Sequence, residues 1–237
     1  MTTDCTYLYV AAGYYDLHVF KYDPSTREVI WETSWDNDYG DWPAGVAYYD
    51  GYMYVTGKTG YDGNIYDLYL HKYRCSDGSR IFSAIWSNSP RDEDGYDILI
   101  DGNFIYVCGG ADDHTYSDIA LVKYNASGDL IWSRTYNGEL NAHDEAKCIT
   151  SDGNYLYMGG TIDAYPYSPN PFLMKLDKDG NVIWQESIEM GEEGALYWDC
   201  IYMDGYIYSV GEIRDSSGCI GGIFSKYSTD GTLINTY

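Results

Sequence analysis

Residues 96–134 read YDILIDGNFIYVCGGADDHTYSDIALVKYNASGDLIWSR, and this stretch decides the fold. It holds four short apolar or aromatic runs separated by turn residues. The first run, Tyr96 to Ile100, ends at Asp101-Gly102, a pair suited to positive φ and so to a tight hairpin. The second, Phe104 to Cys108, is apolar on both faces, and a polar loop follows it. The third, Ile119 to Tyr124, turns at Ser127-Gly128 into the fourth, Leu130 to Arg134. No helical period competes, so the stretch predicts one four-stranded antiparallel unit.

The unit recurs along the chain. Its Lys-Tyr anchor stands at Lys21-Tyr22, Lys72-Tyr73, Lys123-Tyr124, Lys175-Leu176 and Lys226-Tyr227, with lysine spacings of 51, 51, 52 and 51. Leu8-Tyr9, Met53-Tyr54, Ile105-Tyr106, Leu156-Tyr157 and Ile207-Tyr208 keep the same period in the second strand. Ile30-Trp31, Ile81-Phe82, Ile131-Trp132, Ile183-Trp184 and Ile234-Asn235 keep it in the fourth. A fixed period of this length marks a repeat architecture. The repeats run over about 1–43, 44–93, 94–144, 145–195 and 196–237, and the expectation is a single domain spanning 1–237. The corner after the first strand is Asp50-Gly51, Asp101-Gly102, Asp152-Gly153 and Asp204-Gly205. Asp4 aligns with the same corner, so the first repeat is expected to begin at its second strand and to lack its first.

Second strands such as Tyr52-Met53-Tyr54-Val55 and Tyr155-Leu156-Tyr157-Met158 are apolar on both faces, whereas a sheet with one wet face alternates. Each sheet must therefore be covered on both sides, and in a repeat protein the cover is the neighbouring repeat. The expected class is all-β: a five-bladed β-propeller of four-stranded antiparallel blades, the first blade short of one strand. The chain resembles the β-propeller-repeat and PQQ-like repeat families. The resemblance lies in strands ending Tyr-Val-x-Gly and in the Lys-Tyr/Leu-Asp strand. It lies also in the run from that aspartate to a tryptophan, clearest at Asp23 to Trp31 and Asp177 to Trp184. It covers nearly the whole chain and implies architecture rather than activity. It implies an extracellular or cell-surface setting, although the chain opens with polar residues and shows no signal peptide.

Composition narrows the function. Lysine and arginine number 14 against 37 acids, a formal charge of −23, which argues against nucleic acid. No apolar run is long enough to insert into a membrane. With 29 Tyr, 7 Trp and 5 Phe, the chain has the apolar bulk for a packed core despite its charge.

Catalytic signatures are poor. Gly57-Lys58-Thr59 tempts a phosphate-loop reading, but the spacer is one residue too long and no helix follows. No Gly-x-Ser-x-Gly elbow occurs. The chain reads as a non-enzymatic interaction scaffold, and no cofactor is expected. Loops on a rigid scaffold usually carry binding. Those between second and third strands hold Tyr14, Tyr15, Tyr61, Tyr116, Tyr165 and Tyr167 beside Asp62, Asp112, Asp113 and Asp163. Aromatic faces beside carboxylates suit a protein partner or a glycan, so a lectin-like propeller is the alternative reading. A glycan-active enzyme using acids at the channel mouth, such as Asp97 or Asp199, is a third. Asp92-x-Asp94-Gly95-x-Asp97 looks like a short calcium loop, since hard cations take oxygen ligands, and Asp36, Asp38 and Asp41 form a second cluster. The missing strand offers a route to a homo-oligomer, because an unpaired edge invites another chain. Cys148 and Cys200 occupy matching places in consecutive first strands. Two buried thiols are the expected state, a disulfide between neighbouring blades the alternative. The tryptophan series is expected to pack blade on blade.

Overall fold

A computed structural model describes residues 1–13, 15–37, 39–60, 65–88, 92–112, 116–138, 140, 142–163, 169–190, 194–214, 217 and 220–237. Among them twenty strands form five four-stranded sheets, and there is no helix. The first sheet is β1 (Thr2–Thr3), β2 (Leu8–Gly13), β3 (Leu17–Asp23) and β4 (Glu28–Trp35). The second is β5 (Asp41–Tyr49), β6 (Tyr52–Gly60), β7 (Tyr66–Arg74) and β8 (Arg80–Trp86). The third is β9 (Glu93–Asp101), β10 (Phe104–Asp112), β11 (Ser117–Asn125) and β12 (Leu130–Tyr136). The fourth is β13 (Glu145–Ser151), β14 (Leu156–Ile162), β15 (Asn170–Leu176) and β16 (Val182–Ser187). The fifth is β17 (Gly194–Met203), β18 (Tyr206–Arg214), β19 (Ile220–Ser228) and β20 (Leu233–Thr236). Strand order follows chain order in every sheet, which is the up-and-down blade of a β-propeller.

The expectation of a missing first strand is corrected. Thr2 pairs with Tyr9 and Thr3 with Leu8, so β1 exists, although it is only two residues long. Asp4 is the corner residue, as its alignment implied. Its carboxylate accepts the N–H groups of Thr6 and Tyr7 and the Tyr9 hydroxyl. Asp152 accepts those of Asn154, Tyr155 and Tyr157 in the same way. Two residues before such a corner suffice to pair, yet they are too few to show an alternation.

Local chemistry explains the repeat's glycines at two places. The first strand slips by one residue at Pro43/Gly45, Ala146/Cys148 and Tyr197/Asp199. Opposite each bulge stands Gly57, Gly160 or Gly211. A Cβ there would lie 1.8–2.0 Å from the carbonyl oxygen of Trp42, Glu145 or Leu196. In the turn before the fourth strand, a Cβ on Gly78 would meet the Trp31 ring at 2.7 Å.

The chain groups into two compact units, Met1–Val107 with Lys123–Trp132, and Cys108–Val122 with Ser133–Tyr237. In the first, Tyr9, Leu17 and Val19 of the first sheet pack on Met53, Val55, Tyr69 and Tyr73 of the second. In the second, Cys148, Tyr157 and Leu173 of the fourth sheet pack on Ala195, Tyr197, Ile207, Ile223 and Tyr227 of the fifth. The state expected for Cys148 and Cys200 is also corrected. They form a disulfide, their Cα atoms 5.7 Å apart, which bonds the fourth sheet to the fifth. Equivalent places in two stacked strands bring two sulfur atoms together, a distance no single-repeat pattern reveals.

Candidate functional site

One end of the blades carries the loops between second and third strands and those entering the first strands. Asp41, Glu93 and Asp144 hold equivalent places there, at the threshold of the first strand, and all three are fully buried. Asp41 accepts the Thr59 hydroxyl at 2.6 Å, while its Oδ2 is buried with no hydrogen-bond partner among the described residues. Glu93 accepts the Asn88 N–H at 3.1 Å. Asp144 accepts the N–H of Asp163 at 2.6 Å and that of Gly138 at 2.5 Å, tying two loops together. Burial pushes the carboxyls of Asp41 and Asp144 up to about 6 against those hydrogen bonds, with help from Asp36 and Asp16 beside the first and Asp163 and Asp118 beside the second. These acids act as braces for loops.

The proposed loop residues fare unevenly. Tyr14, Tyr61, Asp62, Asp113, Tyr165 and Tyr167 lie outside the described residues, as does Asp38. Tyr15 is exposed. Asp112 ends β10, half-buried. Tyr116 meets His143 edge-on, ring centres 5.3 Å apart. Asp163 sits at φ 58° and accepts the Leu140 N–H at 3.0 Å. The acids proposed for calcium turn to separate partners. Asp92 accepts the Tyr66 N–H, and Asp94 pairs with Lys58 at 3.0 Å. Asp97 accepts the N–H of Ile98, as Asp199 accepts that of Cys200. Among the described residues no three His, Cys, Asp or Glu side chains come together to hold a metal ion.

The repeat's lysine served as an anchor in the sequence, and the structure gives it a task. Each lysine stands over a ring at or just before the start of the second strand: Lys21 over Tyr7, Lys72 over Tyr52, Lys123 over Phe104, Lys175 over Tyr155 and Lys226 over Tyr206, at 3.7–4.3 Å. Lys21, Lys72 and Lys175 also reach the next blade. Lys21 and the Trp31 indole both donate to the Cys75 carbonyl, at 3.4 and 3.1 Å. Lys175 and Trp184 donate to the Thr229 carbonyl, at 2.8 and 3.2 Å. Lys72 donates to the Ala126 carbonyl at 3.4 Å. Trp31 and Trp184 therefore pack blade on blade. The only sequence signal for the latch was that lysine, ring pair and tryptophan share one period.

Hydrophobic residues also face solvent at one place in every repeat. Ile30, Ile81, Ile131, Ile183 and Ile234, on the outermost strands, are each 42–49% exposed. Val29, Leu130, Val182 and Leu233 flank four of them and are exposed too. No helix among the described residues is long and apolar enough to cross a membrane.

No protein-family model matches the sequence. No curated protein matches it either. Solved structures match the fold. The quinohemoprotein alcohol dehydrogenase from Comamonas testosteroni aligns over 98% of this chain at 15% identity, TM-score 0.60. The Dos1 propeller aligns over 98% at 12% identity, TM-score 0.57. The Pan2 WD40 domain of Neurospora crassa aligns over 90% at 9% identity, TM-score 0.51. This chain spans 41% of the dehydrogenase's length, 67% of the Dos1 propeller and 61% of the Pan2 domain. At such identities the likeness is one of fold. The chain is a β-propeller protein of five four-stranded blades.

Proposed function

We propose that the chain is a non-enzymatic interaction module whose blades present apolar fourth strands to a protein partner. The observation that carries this is the exposed isoleucine of each fourth strand, flanked in four blades by a second exposed aliphatic side chain. Repeated apolar surface facing water is costly to keep and marks a contact surface. The buried acids fit the same reading, because Asp144 spends its oxygens on loop backbone and Asp41 spends one of its two on Thr59.

The test replaces Ile30, Ile131 and Ile183 by lysine, singly and together, and measures retention of a cross-linked partner. Loss of the partner with an unchanged melting curve supports the reading. Turnover of a polysaccharide or an alcohol by the purified chain, or retention that ignores all three lysines, overturns it. A glycan-binding reading rests on exposed Tyr15 beside Asp16 and on loops that vary from blade to blade. A glycan array read with and without calcium decides it, a blank array removing its support.

A further inference from the structure

A bulge in a first strand leaves one residue out of the ladder and re-aims its side chain. In the second sheet that residue is Ala44, in the fourth Lys147 and in the fifth Trp198, each skipped by the register of its sheet. Trp198 is 50% exposed. The other six tryptophans of the chain are buried or half-buried.

Trp198 lines a hollow of about 170 Å³ together with Pro169, Leu196, Glu212 and Arg214. All five residues, and Glu145 and Lys147 near them, belong to the second compact unit. Backbone fixes the wall. The Ala195 N–H donates to the Pro169 carbonyl at 2.8 Å, and a Cβ on Gly194 would stand 2.6 Å from the Cδ of Pro169. Leu196 pairs with Glu212 and Gly194 with Arg214 across β17 and β18, so the ladder sets their spacing. The Cys148–Cys200 disulfide bonds the two sheets that supply these residues.

The charged groups come as two pairs. Arg214 donates from Nε at 2.8 Å and from Nη2 at 2.6 Å, both to Glu212 Oε1. Lys147 pairs with Glu145 at 2.6 Å, its Nζ 5.7 Å from the centre of the Trp198 ring. Two cations and two carboxylates balance, in a chain whose formal charge is −23.

That balance selects a ligand. A cation would meet Lys147 and Arg214. An anion would be repelled by the field of the whole chain and would find both cations already paired. A purely apolar group would cover the Glu212 carboxylate and give it no hydrogen bond in return. A neutral ring with apolar C–H faces and hydroxyl edges meets none of these costs. Its face lies on the indole, while its hydroxyls donate to the Glu212 carboxylate and accept from the Arg214 guanidinium. The hollow has room for one such ring, since pockets for drug-sized ligands begin near ~300 Å³.

We propose that Trp198, Glu212 and Arg214 form a binding site for one neutral pyranose unit of a glycan, held by stacking on the indole and by hydrogen bonds to its hydroxyls. The inference goes beyond the docking of a protein partner. Ile234 lies on β20, at the opposite edge of the sheet from Trp198 on β17, and Tyr15 and Asp16 belong to the other compact unit. Each reading can therefore fail alone.

NMR titration of the isotope-labelled full chain tests this, with the methyl glycosides of glucose, galactose, mannose and N-acetylglucosamine as probes. The Trp198 indole N–H signal is assigned by its loss in Trp198→Phe. At least one neutral glycoside should shift that signal saturably, with a Kd in the millimolar range. Binding to the variants is read from saturation transfer to the glycoside. Trp198→Ala should weaken it by roughly tenfold or more. Trp198→Phe, which keeps an aromatic face, should weaken it less, and Tyr15→Ala should change nothing. The melting curves of both Trp198 variants should match the wild type, because the ring is half exposed. Methyl glucuronide and choline, the charged controls, should leave the indole signal in place. No saturable shift with any of the four glycosides overturns the proposal. So does binding that survives Trp198→Ala, or a charged control that binds more tightly than every neutral probe. Binding lost in Tyr15→Ala and kept in Trp198→Ala would leave the glycan-binding reading standing and sink only this inference.

Discussion

The junction of the first two sheets and that of the last two solve one packing problem differently. Both stack a tyrosine on a tyrosine of the next blade, Tyr9 on Tyr48 with centres 5.5 Å apart and Tyr157 on Tyr202 with centres 6.2 Å apart. Both close with a lysine and a tryptophan on one turn carbonyl. Only the later junction is also covalent, through Cys148–Cys200. The earlier one instead buries more polar detail. The His71 imidazole meets the Tyr73 hydroxyl at 3.1 Å and the Ser83 hydroxyl at 2.9 Å, and burial beside Arg80 lowers it to about 3, so it stays neutral. The aromatic stack and the latch are thus shared by both junctions, and the disulfide is a local reinforcement.

The largest expected effect removes that reinforcement. Cys148→Ser, or reduction of the wild type, opens a loop of 52 residues and should cost about 2–4 kcal/mol, read as a lowered urea midpoint. An unchanged midpoint would mean that the two junctions are alike after all. Next in size, Trp31→Ala should cost about 3 kcal/mol and should lower the melting temperature more than Trp184→Ala does. That order should vanish in the Cys148→Ser background, where both junctions depend on the latch alone.

Smaller still is a pH effect. Asp41 and Asp144 ionise near 6 in the folded chain and near the ordinary carboxyl value of about 3.9 when unfolded, so the folded state holds protons more tightly. These two groups therefore add stability as the pH falls from 7 through 6, levelling off below about 4. Asp41→Asn should raise stability at pH 7 by about 1 kcal/mol and flatten that slope, as melting curves at several pH values would show. A slope of opposite sign attributable to Asp41 would refute its buried, strained setting. The smallest effect belongs to the lysines. Lys21→Met and Lys175→Met should each cost about 0.5–1 kcal/mol in thermal unfolding, the loss of one cation over an aromatic pair.

Much of the fold was legible in sequence because its cues act over a few residues. The Asp-Gly corners adopt the expected positive φ at Asp50, Gly51, Gly102, Gly153, Asp204 and Gly205. The second strands that are apolar on both faces are buried almost throughout in β6, β10 and β14. The candidate site was far less legible. Aspartates rank alike in a chain with 37 acids, and only burial separates Asp41 and Asp144 from the rest. Asp92, Asp94 and Asp97 are near in sequence, and each turns to a partner of its own: the Tyr66 N–H, Lys58 and the Ile98 N–H.

The period, the strand count per blade from the second to the fifth, the turn positions and the covered faces follow from the sequence alone. Each of these follows from local backbone preference and from the side-chain alternation of a single strand. That β1 exists, that Cys148 meets Cys200, and that lysine and tryptophan share a carbonyl emerges only from tertiary packing. Those facts depend on groups some fifty residues apart meeting across stacked sheets, as Lys21 meets Cys75 from 54 positions away. A repeat shows that such neighbours exist, but only packing shows which atoms touch.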